Sequence, residues 1–210
     1  MRYEPDVNGF WERIQRFTAA LVRWGARINL TAAAGDDAEI VFHMIDSLTP
    51  AILSKRTDGG PFIGAFGPGR RILDLGSGGG FPGLILAAAT EAQFTLVDSR
   101  RKRSSFLAFA AGEMGLCNVT VEPIRATGYE FNGEYDAVVS RGVGTVGGFH
   151  EIASGALKHR GLAILYANED QYIDAMNAEA FGLGELIESH YVLRRADEEA
   201  KRVLAVWRKL

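Results

Sequence analysis

The chain has 210 residues, of which 47% are hydrophobic and 23% are charged, and its formal net charge is −3 at pH 7. This length and composition are those of an ordinary globular protein that can bury a core of its own. The slightly acidic balance excludes a globally basic nucleic-acid binder. Such a function must therefore depend on local patches, such as the Arg-Arg-Lys-Arg run at 100–103.

Two further classes are excluded by the distribution of apolar residues and by the cysteine content. No stretch approaches the length of apolar sequence that crosses a bilayer, and the first twenty residues lack the basic start and apolar core of a secretory signal. We therefore expect a cytoplasmic protein without a membrane partner. The single cysteine, Cys117, can form neither an intrachain disulfide nor a cysteine cluster for a metal, and we expect it to be a small buried side chain.

The N-terminal segment is predicted to be helical, because its apolar residues recur at spacings of one, three or four. These residues are Phe10, Trp11, Ile14, Phe17, Leu21, Trp24 and Ile28. A second helix is predicted over 38–53, before a glycine- and proline-rich loop at 55–70. We interpret residues 1–60 as a helical extension of a core formed by residues 61–210, within one structural domain overall.

Strand and helix patterns alternate through the rest of the chain. Strands are predicted at 71–75, 94–98, 119–123, 135–140, 161–166 and 202–207, with a weaker one at 190–195. Helices are predicted at 82–90, 102–115, 147–157 and 170–179. This alternation favours an α/β fold with a mostly parallel, doubly wound sheet.

The stretch 72–83, ILDLGSGGGFPG, places a run of glycines directly after the first predicted strand. In an open parallel sheet, ligands bind beyond the carboxyl ends of the strands, and glycines there allow the backbone to approach a ligand or simply to turn tightly. A phosphate-binding loop would need a Lys-Ser or Lys-Thr pair after the glycines, and a dinucleotide fingerprint would need a glycine in place of Phe81. The pattern present is Asp74-x-Gly76-x-Gly78-x-Gly80.

This pattern resembles the S-adenosylmethionine site of class I methyltransferases. Asp98 ends the second predicted strand, where a carboxylate can accept hydrogen bonds from both ribose hydroxyls of an adenosine. Its spacing alone suits NAD equally well, and the phasing of the glycines favours S-adenosylmethionine. Asp74 has two interpretations: it caps the turn, or it holds the loop amides and the amino-acid end of the cofactor.

Further motifs resemble one family, the bacterial 16S ribosomal RNA (guanine-N7) methyltransferase G family, also called glucose-inhibited division protein B. They are Asn29-Leu30-Thr31, His43-x-x-Asp46-Ser47-Leu48, the glycine motif at 74–83, Leu-Val-Asp-Ser at 96–99, Lys102-Arg103, Phe106-Leu107 and Ser140-Arg141. Together they cover about residues 20–208. The resemblance implies a Rossmann-like methyltransferase that transfers a methyl group from S-adenosylmethionine to the 7-position nitrogen of a guanine in 16S ribosomal RNA, free or in the small ribosomal subunit.

The positions of the residues and the resemblance together give the expected site residues. Cofactor contacts are expected at Asp74, Gly76, Ser77, Gly78, Phe81, Asp98, Ser99, Ala126, Thr127 and Arg141, and RNA contacts at Lys102, Arg103, Arg125 and Arg141. Arg141 is the expected catalytic residue, and no metal site is expected. The target nitrogen already carries a lone pair, so alignment of donor and acceptor can supply most of the catalysis without a general base.

Two rival methylations are disfavoured by the loop after the fourth predicted strand, which reads Ser140-Arg141-Gly142. Exocyclic-amino methylases typically have Asp/Asn-Pro-Pro-Tyr/Phe there, and a carbon-5 methylase needs a nucleophilic cysteine nearby, whereas Cys117 precedes the third strand.

Several charged residues keep two interpretations. Arg141 and Arg125 either contact RNA or form structural ion pairs, and the run 100–103 either binds phosphates at a helix start or is a solvated face. His43 and Asp46, three apart on one helix face, are predicted to hydrogen-bond each other and pin the N-terminal helices to the core.

The chain departs from the family pattern at three places, one of which is Gly142, where the family has alanine after the Ser-Arg pair. It reads Tyr166-Ala167-Asn168-Glu169 where Leu-Lys-Gly is usual, and it has Thr127 where an acidic residue often stands. Two alternative functions therefore stay open: a methyltransferase acting on another substrate, and a noncatalytic RNA-binding factor in ribosome assembly.

Overall fold

The structure is a computed structural model that describes residues 7–25, 28, 30, 36–56, 58, 60–128, 130–142, 144–177, 181–195 and 198–210. Asn29 and Thr31 of the Asn-Leu-Thr motif lie outside the described residues. The helices are α1 (Val7–Gly25), α2 (Asp37–Ser54), α3 (Gly83–Ala89), α4 (Arg101–Glu113), α5 (Val146–Ala156) and α6 (Glu169–Asn177). The strands are β1 (Arg71–Leu75), β2 (Gln93–Val97), β3 (Val119–Glu122), β4 (Tyr135–Arg141), β5 (Leu157–Ala167), β6 (Ile187–Arg195) and β7 (Glu198–Arg208).

The seven strands form one sheet in the order β3-β2-β1-β4-β5-β7-β6. Strands β1 to β5 are parallel, whereas β7 is antiparallel to both β5 and β6. Leu75 pairs with Val97 on β2 and with Ser140 on β4, so the carboxyl ends of the three central strands meet at one edge. The predicted mostly parallel α/β fold is confirmed.

Both faces of the sheet are covered, which explains why the central strands are nearly continuous apolar runs. Ile72 packs into a core with α1 to α4, while its neighbour Leu73 packs into a second core with α5. Successive side chains of a strand point to opposite faces, so each strand contributes to both cores.

The first two helices belong to the larger of these cores. Phe17 and Leu21 of α1 and Ile40 of α2 are buried there together with Ile72 of β1. The Asp36 carboxylate caps α2 by accepting hydrogen bonds from two amides of its first turn. Trp11, at the edge of the predicted apolar stripe, is 54% exposed. The division of the chain at residue 60 stays a prediction.

The expectation for Cys117 is wrong, because its side chain is exposed. It lies in the turn between α4 and β3, where the neighbouring Asn118 points inward instead. The Asn118 amide donates to the carbonyl of Ala87 in the last turn of α3 and to that of Ala92 just before β2, at 3.1 and 2.9 Å.

Among the described helices, none has both the length and the hydropathy that a bilayer crossing requires. The described residues also contain no group of three or more His, Cys, Asp or Glu side chains placed to hold a metal ion.

Candidate cofactor and substrate site

The glycine motif forms a tight loop between β1 and α3 at the edge where the central strands end. Gly76, Gly78 and Gly80 have φ angles of 74°, 52° and 90°, a region that residues with a Cβ rarely adopt. The amides of Gly76 and Ser77 donate to the Val97 carbonyl at 2.8 and 3.0 Å, which fixes the loop to the end of β2. The loop therefore has the bare backbone and the location that ligand binding requires.

Asp74 is completely buried beneath this loop. Its Oδ2 accepts a hydrogen bond from the Gly83 amide at 3.0 Å, and its Oδ1 has no hydrogen-bond partner among the described residues. Burial raises the pKa of Asp74 to about 7, against the nearby Ser77 hydroxyl, the hydrogen bond from the Gly83 amide and the charge of Arg141. An unpaired buried oxygen beside a glycine loop fits a ligand that brings a hydrogen-bond donor.

The raised pKa of Asp74 predicts a pH effect on stability. Between about pH 4 and 7 the folded state holds a proton that the unfolded chain has lost, so this carboxyl destabilises the fold progressively as pH rises through that window. In Asp74→Asn this contribution is absent. We expect the unfolding free energy of Asp74→Asn relative to the wild type to rise by about 2–4 kcal/mol from pH 4 to pH 8.

Urea unfolding at several pH values measures this difference. Asp136→Asn is the matched control, since hydrogen bonds from Arg71, Lys158 and Arg70 outweigh burial and lower the pKa of Asp136. Its relative stability should be nearly flat between pH 5 and 8, because a lowered pKa acts only at more acidic pH. A flat profile for Asp74→Asn as well would contradict an Asp74 that titrates near neutrality.

Asp98 lies just beyond β2 and is 5% exposed. Its Oδ2 accepts from the Gly78 amide at 3.0 Å and its Oδ1 accepts from the Arg100 amide at 2.8 Å. The carboxylate therefore joins the glycine loop to the start of α4, where its negative charge also favours the helix dipole. Each carboxylate oxygen keeps a lone pair for a further donor such as a ribose hydroxyl.

Arg141, at the carboxyl end of β4, has a side chain that is 16% exposed. Its guanidinium carbon lies 5.1 Å from the ring centroid of Phe81, and its Nη1 lies 3.1 Å from Nδ1 of His43 and 3.4 Å from Oδ2 of Asp46. The ion-pair interpretation of Arg141 is confirmed, and the pair lies at the same edge of the sheet as the glycine loop. A contact between Arg141 and RNA stays a prediction.

The predicted hydrogen bond between His43 and Asp46 is wrong, because both side chains instead contact Arg141. An arginine only donates hydrogen bonds, so Nδ1 of His43 accepts and this histidine is neutral. Burial, followed by the positive charge of Arg141, lowers the pKa of His43 to about 4, which agrees with the neutral form.

The other predicted site residues lie around the same edge with different exposure. Ser77 is buried, Gly76 and Ser99 are exposed, and Ala126 and Thr127 follow β3. Both the amide and the hydroxyl of Thr127 donate to the Glu130 carboxylate, at 3.0 and 2.8 Å.

The predicted RNA-binding residues divide into two kinds. Lys102 and Arg125 are exposed at the start of α4 and after β3. Arg103 is partly covered, and its Nη1 lies 3.9 Å from Oδ2 of Asp98. Arg103 therefore lies beside Asp98, whereas Lys102 and Arg125 face solvent.

Two residues of this region, Tyr191 on β6 and Arg202 on β7, are absent from the sequence prediction. The Tyr191 hydroxyl donates to Oδ1 of Asp46 at 2.6 Å, and Nη2 of Arg202 donates to Oδ2 at 3.0 Å. Their strands were recognisable from apolar periodicity, but nothing in that local pattern indicates a partner on α2.

The departure at 166–169 also has a structural basis. Tyr166 and Ala167 are each only 1% exposed at the end of β5, and the Tyr166 hydroxyl donates to the Ser47 carbonyl at 2.8 Å. Asn168 accepts from the Gln171 amide at 2.8 Å at the start of α6. Tyr166 and Ala167 therefore belong to the core, and Asn168 lies at the start of α6. A lysine in place of Ala167 would have its backbone and Cβ at a buried position.

Comparisons with known proteins agree with this geometry. The GidB family, described as rRNA small subunit methyltransferase G, matches residues 11–195. The chain is 32% identical to the ribosomal RNA small subunit methyltransferase G of Chromobacterium violaceum, over 81% of this chain and 70% of that protein. It is 36% identical to the protein of the same name from Hydrogenovibrio crunogenus, over 65% of this chain and 58% of that protein.

Two solved structures that share the fold are described as methyltransferases. The tRNA methyltransferase TrmI from Aquifex aeolicus superimposes with a TM-score of 0.59 at 13% identity, over 80% of this chain and 68% of that one. A SAM-dependent O-methyltransferase from Thermotoga maritima gives 0.57 at 14% identity, over 90% and 71%. At these identities the similarity demonstrates the fold alone. The family match, however, runs from α1 to the end of β6, so the chain belongs to the rRNA small subunit methyltransferase G family, as its motifs predicted.

Proposed function

We propose that this chain transfers the methyl group of S-adenosylmethionine to the 7-position nitrogen of a guanine in 16S ribosomal RNA, in the cytoplasm. The observation that carries the proposal is the meeting of the glycine loop, buried Asp74 and Asp98 at the carboxyl ends of β1 and β2. Family membership supplies the class of reaction and of substrate.

The residues present fit the cofactor. Asp98 accepts the ribose hydroxyls, the glycine loop lies against the amino-acid portion, and the unpaired Oδ1 of Asp74 accepts a hydrogen bond from that portion. Ala126 and Thr127 border the adenine. When bound, S-adenosylmethionine supplies an electrophilic methyl group on a sulfonium centre.

Arg141 places a positive charge at the edge of the sheet where the glycine loop lies. Its guanidinium is held over Phe81 at the edge where the acceptor base would enter, and it donates to the carbonyl oxygen of guanine or to a phosphate. The chain holds the base in line with the methyl donor, and Lys102, Arg103 and Arg125 neutralise backbone phosphates around it. The acceptor nitrogen carries no proton, so no side chain has to remove one.

The test is methyl transfer from labelled S-adenosylmethionine to unmethylated 16S RNA and to assembled small subunits, with the modified base mapped. Label at a guanine 7-position supports the proposal. Label on another base or on another RNA would favour a different substrate, and RNA binding without formation of S-adenosylhomocysteine would favour a noncatalytic assembly factor. The noncatalytic alternative is tested because the chain has a buried alanine, Ala167, where the family usually has lysine.

Replacing Asp98 with alanine should weaken binding of S-adenosylhomocysteine by about 100-fold or more, because Asp98 would accept two ribose hydroxyls and hydrogen bonds to a charged acceptor contribute about 1.5–3 kcal/mol each. The variant also loses the link between the glycine loop and α4. Titration calorimetry measures the affinity, and Asp136→Asn, at the opposite end of the sheet, is the control that should bind normally. Unchanged affinity in Asp98→Ala would place the adenosine elsewhere.

A further inference from the structure

Asp46 is the only fully buried carboxylate on the described part of α2, and it contacts three separate elements of the sheet. It accepts from Tyr191 on β6 and from Arg202 on β7, and it pairs with Arg141 on β4. Two of these partners have no other place in the proposed reaction. A carboxylate surrounded in this way requires a reason beyond the attachment of one helix.

The electrostatics keep Asp46 ionised. Burial favours its neutral form, but the hydrogen bond and charge of Arg202, the Tyr191 hydroxyl and the charge of Arg141 together lower the pKa of Asp46. The Asp46 carboxylate therefore lies between two guanidinium groups, and its negative charge is available to both at neutral pH. His43 beside them is neutral.

The distances show which contacts fix which group. The bonds to Tyr191 and Arg202, at 2.6 and 3.0 Å, are shorter than the 3.4 Å contact to Arg141. The bonds to Tyr191 and Arg202 hold the Asp46 carboxylate in place. The contact between Asp46 and Arg141 then orients the guanidinium from one side, and the Phe81 ring restricts its movement on another. Nδ1 of His43 supplies the second fixed acceptor for the same nitrogen, Nη1.

We propose that Asp46, fixed by Tyr191 and Arg202, is a positioning residue that sets the orientation of the Arg141 guanidinium over Phe81. Its role in methyl transfer rests on the proposed function, whereas its effect on the orientation of Arg141 does not. Tyr191 and Arg202 act indirectly on Arg141, because they fix the Asp46 carboxylate that contacts it.

The first test observes Arg141 directly and needs no substrate. In nitrogen-15 spectra of the arginine side chains, assigned with Arg141→Lys, a held guanidinium gives separate Nη signals because rotation about its Cζ–Nη bonds is slow. We expect these signals to merge in Asp46→Asn and to broaden in Tyr191→Phe, which removes one hydroxyl and keeps the carboxylate. Asp136→Asn, which alters a carboxylate bound by Arg70 and Lys158, should leave them unchanged. Unchanged Arg141 signals in both Asp46→Asn and Tyr191→Phe would overturn the proposal.

The second test is a double-mutant cycle on single-turnover methyl transfer. Asp46→Asn should slow the reaction about 10–100-fold in the wild-type background and less than about 2-fold in the Arg141→Ala background, because its effect passes through that arginine. Equal losses in both backgrounds would mean a general structural role and overturn the proposal. If Asp46→Asn does not fold, Tyr191→Phe replaces it in the cycle, with an expected loss of about 3–10-fold. If the wild-type protein methylates no RNA, the proposed function fails, while the spectra still decide the orientation of Arg141.

Discussion

Replacing Arg141 with alanine should lower the rate of methyl transfer by about 100-fold or more, the size expected when one preorganised charged donor is lost from a reaction centre. The fold should survive, because Asp46 keeps Arg202 and Tyr191 as partners after the guanidinium is removed. Arg141→Lys should retain part of the rate, since lysine keeps the charge but not the planar fork that Asp46 and His43 both contact.

Single-turnover kinetics with labelled cofactor and mapped 16S RNA measure this loss, and circular dichroism reports whether the variants fold. Asp136→Asn provides a variant with a disrupted surface ion-pair cluster far from the site. A rate for Arg141→Ala within about 3-fold of the wild type would show that the ion pair with Asp46 is its whole role.

Replacing Gly83 with alanine should destabilise the protein by about 3 kcal/mol, the upper part of the range for overpacking a rigid core. A Cβ at this first residue of α3 would overlap both Oδ2 of Asp74 and a methyl group of Leu96, and both side chains are buried. Accommodating it would also strain the hydrogen bond from the Gly83 amide to Asp74. Cofactor affinity should fall with stability, since the same carboxylate borders the glycine loop.

Gly112→Ala is the matched control for this experiment. Gly112 lies within α4, and a Cβ there would meet nothing within 4 Å. Alanine at such a helical position should stabilise the protein by about 0.5–1 kcal/mol. Urea unfolding at one pH compares the two variants, and similar values for both would show that the contact around Gly83 relaxes at little cost.

The strands and helices were predictable because each has a local pattern of apolar residues that indicates its type. The seven strands fall where apolar runs predicted them, including the weak one that extends to Ile187–Arg195 at the sheet edge. The insertion of β7 between β5 and β6 was not predictable from those runs, since both strands have the same local pattern in either order. Strand order depends on contacts between distant segments.

The residues of the candidate site also differ in whether the local sequence could predict them. The positions of Asp74 and Asp98 beside the glycine loop could be predicted because both lie at strand ends, and their contacts with the cofactor stay a prediction. Tyr191 and Arg202 lie 145 and 156 residues from Asp46 along the chain, and each occupies an ordinary strand position. Cys117 was misjudged for a related reason, because the fold placed Asn118 inward at that turn.

The hydrogen bond from the Gly78 amide to Asp98 affects the thermodynamics of ligand capture. The loop already has its tight shape, so a ligand does not have to order it, and little conformational entropy is lost at that step. The first contact of a ligand with Asp98 therefore needs no prior ordering of the turn at Gly78. A loop of this kind selects its ligand by shape from the first encounter, and the protein carries the cost of holding that shape within its own folding stability.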